Sequence, residues 1–199
     1  MQDGRRTAAG VFAAVVILSL ASQAALPVAP VPISLQSLAV VLTGALLGPL
    51  RGVMAVLTWL TLAALGLPLL AEGTGGLAKF TGPSAGFLLA FPFAAAFAGA
   101  LLRGRSEFGW ALLVALCAHA ICLIGGGAWL AAAIGPARAW SVGVLPFLPG
   151  AAVKSLAAAL AIRAISRRGY ASASAGPSGW TTPPAAPAPA RRSVPAPRA

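Results

Sequence analysis

No Asp, Glu, Lys or Arg occurs between residues 7 and 50, and equally bare stretches fill 52–71, 80–102 and 108–137. Long charge-free runs of this kind fall outside the range of soluble globular domains. Hydrophobic residues make up 59% and charged residues 9% of the 199 positions, the balance of a polytopic membrane protein. A β-barrel would alternate apolar and polar residues in segments of about ten, whereas these blocks are unbroken and rich in Ala and Leu. The expected fold class is all-α, with six helices crossing the bilayer.

The formal charge of +11 does not redirect this reading toward nucleic acid. The 14 basic residues stand singly at block edges and in a tail, whereas a nucleic-acid surface gathers them on one face. Cys117 and Cys122 lie on different faces of one apolar helix and read as buried, inert thiols rather than a disulfide or a metal pair.

In chain order, Arg5 and Arg6 precede an apolar run over 8–26, about 19 residues and long enough to cross a bilayer. A signal peptide is the alternative, but the run exceeds the usual apolar core and leads straight into further membrane segments. It reads as the first helix. Prolines at 27, 30 and 32 force a rigid turn over 26–34. Five more helices are expected over 35–47, 52–67, 85–102, 108–134 and 151–165. The second is short for a full span, and the fifth is open to a break at Gly125, Gly126 and Gly127. Two irregular segments remain. Residues 67–86 hold five of the 23 glycines together with Glu72 and Lys79, and residues 135–150 form the other. Residues 1–169 make the transmembrane domain, and the Ala-, Pro- and Arg-rich residues 170–199 a disordered tail.

Charge placement orients the chain. With the N-terminus inside, Arg5, Arg6, Arg51, Arg103, Arg105, Arg163, Arg167 and Arg168 fall at cytoplasmic ends, against Lys79, Arg138 and Lys154 outside. That asymmetry makes both termini cytoplasmic. The proline turn, the glycine-rich loop and residues 135–150 then share the outer face. Long, chemically unusual connections confined to one face are expected to form a binding site.

Three blocks carry a resemblance: VPISLQSLAVVLTGALLGPLRG, LGLPLLAEGTGGLAKFTGPSAGFLLAF and LPFLPGAAVKS. In this order and spacing they resemble the BioY family of biotin transporters, the substrate-binding S components of energy-coupling factor (ECF) importers, over residues 8–166. The resemblance implies a six-helix protein of the bacterial inner membrane that captures biotin outside and moves it inward. It implies work with a transmembrane coupling protein and two ATPases, or transport by the chain alone. The chain has no G-x-x-x-x-G-K-[ST] loop, so ATP hydrolysis would come from partners. Biotin is cargo, and no cofactor or metal is expected. The alternative is the same architecture serving another small vitamin or precursor. One departure matters: many family members carry an acid directly after PFLPG, where this chain has Ala151.

Biotin brings a ureido ring with two N–H donors and a carbonyl, an apolar bicycle with sulfur, and a carboxylate. Gln36 is the amide candidate, with helix capping or an interhelical hydrogen bond as its ordinary reading. Lys154, one turn into an apolar helix, is costly unless it snorkels, pairs with Glu72 or faces a cavity; the ligand carboxylate or another polar group of the ligand is its expected partner. Gly75, Gly76 and Gly82 permit close backbone approach to a ligand, and Ser84 either contacts the ligand or caps the fourth helix. Trp129 can stack on the bicycle or anchor at the interface. Glu72 is a candidate acceptor for the ureido N–H groups. His119 reads as a helix-packing hydrogen bond, with ligand contact or proton relay as alternatives. Ala9 and Ala13, small residues four apart in the first helix, are the candidate contact with the coupling protein. One histidine and acids at only three positions, 3, 72 and 107, leave no catalytic constellation, so no enzyme is expected.

Overall fold

The structure, a computed structural model, describes residues 2–26 and 30–174. Helix α1 spans Gln2–Gln23 and is followed by a two-residue antiparallel pair, β1 (Ala25–Leu26) and β2 (Ile33–Ser34). Helices α2 (Gln36–Leu47) and α3 (Pro49–Ala64) meet at Gly48, and a long loop leads to α4 (Ala85–Leu102). Helix α5 (Phe108–Ile134), a short α6 (Pro136–Ala139), a π-helical turn over Trp140–Val144 and α7 (Phe147–Ser174) complete the chain. Among the described residues, six helices, α1 to α5 and α7, therefore build the bundle. Of these, α4, α5 and Phe147–Arg167 of α7 are long and apolar enough to cross a membrane individually, while Thr7–Gln23, α2 and α3 are shorter.

Small residues set how closely the helices approach. In lipid no hydrophobic force drives helices together, so association depends on backbone proximity and packing. A methyl group added at Gly44 would strike the Ala95 backbone of α4, and one at Gly52 would lie 2.8 Å from the Gly44 backbone. One at Gly99 would lie 2.6 Å from the Gly48–Pro49 link, so α2, α3 and α4 touch through bare backbone. Proline at the first position of α3 has no N–H to lose there, which lets the helix begin at once after Gly48 (φ 81°).

Three sequence expectations change here. Helix α5 is continuous through its three glycines, because they serve contact rather than bending: Gly125 faces Ala90, Gly126 the Phe87 ring and Gly127 Val144. Residues 135–150 are largely helical instead of irregular, with Gly135 (φ 84°) setting the turn into α6 and Gly143 packed on Leu130. Helix α7 begins at Phe147 and runs to Ser174, past the expected start of the tail. Residues 175–199 lie outside the described residues.

Side chains fix which segments share an end of the bundle. Gln23 at the end of α1 donates to the Pro68 and Leu70 carbonyls at 3.3 and 3.2 Å. Buried Trp59 donates to Leu69 O at 3.1 Å and stacks on Phe91 with centroids 6.1 Å apart. Lys154 reaches β2 and α2, and Trp129 reaches Gly82. The hairpin, the 65–84 loop and the start of α7 thus lie together. At the other end Trp110 donates to Leu101 O at 2.8 Å, with the Arg105 guanidinium 5.3 Å from its ring.

Candidate functional site

Where the hairpin, the loop and four helices converge they leave a cavity of about 600 Å³, within the usual range for small-ligand sites. One wall is apolar: Phe87 of α4 stacks on Phe147 of α7 at 5.6 Å, with Val31 packed against them and Leu123 behind. Leu88, Phe91 and Cys122 extend it. Both cysteines are free thiols, and Cys122 is buried.

The polar groups come from separate elements. Gln36 opens α2 and is buried, and its Nε2 has no hydrogen-bond partner. Its side chain does not cap α2, whose N-cap is Leu35. Lys154 is half-buried and donates from Nζ to Ser34 O at 2.9 Å and Ser37 Oγ at 3.1 Å. Its partners are thus neutral oxygens rather than Glu72. With two oxygens on three donors, the Nζ group keeps one N–H for a further acceptor. Ser84 holds the N-cap position of α4 but makes no side-chain cap bond, so its hydroxyl is available to the cavity it lines.

Five of the candidate residues, Gln36, Glu72, Gly82, Ser84 and Lys154, line this cavity together. Gly75, Gly76 and Trp129 do not. Gly75 packs against the Leu67 and Ala63 backbone, and Gly76 donates from its N–H to Ala63 O at 2.7 Å. Trp129 donates to Gly82 O at 3.0 Å and covers Gly86, fastening the loop to α5. The loop itself is compact: Leu70 and Thr74 pair, and Glu72 turns at φ 61°. Ala9 and Ala13 are exposed on α1.

His119 also lines the cavity, 2% exposed. Its Nδ1 lies 2.8 Å from Ala115 O and 3.0 Å from Ser155 Oγ, while Nε2 has no partner. Sequence reasoning weighed it mainly as a packing residue. The only signal available was a lone histidine in a long apolar run.

The BioY family model matches residues 3–170. The chain belongs to the BioY family. Among BioY relatives, a biotin transporter of Rhodobacter capsulatus is 39% identical, the match covering 81% of this chain and 92% of the relative. One of Rhizobium etli is 39% identical, covering 77% and 88%, and a probable biotin transporter of Pyrococcus horikoshii is 37% identical, covering 73% and 87%. A crystal structure of the S-component for biotin from an ECF-type ABC transporter superposes with a TM-score of 0.75 at 27% identity, covering 83% of this chain and 93% of that one. The BioY chain is accordingly a multi-pass membrane protein of a transporter family, not an enzyme.

Proposed function

We propose that this chain takes up biotin, capturing it in the cavity at the outer face of the bacterial cell membrane and delivering it inward as the S component of an ECF importer. The observation that carries the reading is the cavity's chemistry, which combines an unpartnered buried amide at Gln36, the Phe87–Phe147 apolar wall and a lysine held only by neutral oxygens. Those three features match a ureido ring, a bicycle and a carboxylate. Gly82, Ser84 and Glu72 shape the wall beneath the loop, while Gly75, Gly76 and Trp129 hold that loop in place. The basic ends face the cytoplasm with both termini. The coupling protein docks on α1 at Ala9 and Ala13, and two ATPases supply the energy.

The test is equilibrium binding of labelled biotin to the purified protein, with Gln36→Ala and Lys154→Ala alongside. Nanomolar binding weakened in both variants is expected. Micromolar or absent binding to the wild type would overturn the biotin assignment, and unaffected variants would remove the site while sparing the function. Uptake by cells carrying the chain with and without a coupling module separates coupled from solitary transport.

A further inference from the structure

We infer that His119 is a ligand-binding residue whose neutral Nε2 accepts one of the two ureido N–H groups of biotin, an inference that rests on the proposed function.

The tautomer follows from the hydrogen bonds. Ala115 O, 2.8 Å from Nδ1, can only accept, so Nδ1 carries the proton. Ser155 Oγ donates its own hydrogen to Ala151 O at 2.8 Å and therefore accepts from the same Nδ1–H at 3.0 Å. A neutral imidazole with its proton on Nδ1 has a bare lone pair on Nε2. Ser155 is itself fully buried, so the ring is held from α5 and α7 at once.

Packing accounts for Nδ1 and leaves Nε2 unexplained. A buried acceptor without a donor is costly, and native structures retain few of them. Here the orphan belongs to a side chain that is 2% exposed and lines the cavity. Among the described residues only one other buried side-chain atom lacks a partner, Gln36 Nε2, and it lines the same cavity. One orphan accepts and the other donates. An N–H beside a C=O, as in a cyclic urea, satisfies both.

The same wall lacks a carboxylate that could take this part. Ala151, buried and cavity-lining, presents a methyl group one turn before Lys154 and Ser155. Glu72 lines the cavity but is exposed to solvent, where water competes for it. A neutral nitrogen held in place by two elements is thus the best-placed buried acceptor for a ligand N–H.

His119 is the sole histidine, so protein labelled with isotope at the imidazole nitrogens gives one Nδ1 and one Nε2 resonance. In the free protein the Nε2 signal should be that of an unprotonated nitrogen. Saturating biotin should move it toward the protonated side while Nδ1 stays in place. His119→Asn keeps a donor near Nδ1 but has no acceptor at Nε2, so biotin should bind about tenfold to a hundredfold more weakly, the effect of stranding one buried donor. His119→Gln, whose amide oxygen reaches the Nε2 position, should lose less. Of the two biotins methylated on one ureido nitrogen, one should bind the wild type and His119→Asn alike. An Nε2 signal unmoved by biotin that demonstrably binds would overturn the inference and leave the proposed function standing. Failure of the wild type to bind biotin would remove both.

Discussion

Trp129→Phe isolates the fastening of the loop from the chemistry of the cavity. The 65–84 loop is tied at its start by two side chains, Gln23 and Trp59, and near its end by one, the Trp129 Nε1 bond to Gly82 O at 3.0 Å. Phenylalanine keeps an aromatic ring against Gly86 and removes only the donor. A neutral hydrogen bond contributes about 0.5–1.5 kcal/mol net. Gly82 is only partly buried in the loop, so water can satisfy its carbonyl once the bond is gone and the cost stays within that range. Opening at the Gly82–Ser84 end should then become about two- to tenfold more frequent. Biotin dissociation, followed by chasing labelled ligand with excess unlabelled ligand, should accelerate by the same factor. Thermal stability should change little, because the bundle core is untouched. An unchanged dissociation rate in a folded variant that binds biotin would show that this end of the loop does not retain the ligand.

Lys154→Met should weaken biotin by about tenfold or more, whereas a biotin whose carboxylate is replaced by an amide should bind variant and wild type within about twofold of each other; equal losses for both ligands would remove the carboxylate contact. Gly44→Leu places side-chain atoms into the Ala95 backbone, so it should cost about 3 kcal/mol or more and be seen as loss of monodisperse protein in detergent. For orientation, Leu77→Cys, at a position 72% exposed, should react with an impermeant thiol reagent in intact cells, and Arg105→Cys only after lysis. The reverse pattern would invert the topology. Ala9→Trp with Ala13→Trp should leave biotin binding within about twofold while abolishing co-purification with a coupling protein; retained co-purification would place that contact elsewhere.

The class of the protein was legible in the sequence because it depends on local quantities. Charge-free runs fix helices in lipid, and the bounds of α4 and α5 matched expectation at Ala85–Leu102 and Phe108–Ile134. The 135–150 segment did not match, since Gly and Pro signal a break in a single chain but serve as contacts or helix starts when another helix is present. Gln36 and Lys154 could be picked out as polar residues bordering apolar runs, and Glu72, Gly82 and Ser84 as parts of one irregular glycine-rich loop; the five line one cavity.

Local composition, then, settled that this chain lives in a bilayer as helices and which residues are chemically out of place. It could not settle which polar atoms remain free, because a hydrogen bond joins residues far apart in the chain. Lys154 finds oxygens on Ser34 and Ser37, and Ser155 finds the ring of His119. Only the tertiary structure decides that Trp129 secures the loop instead of facing the cavity, and that His119 spends one nitrogen on packing and keeps the other.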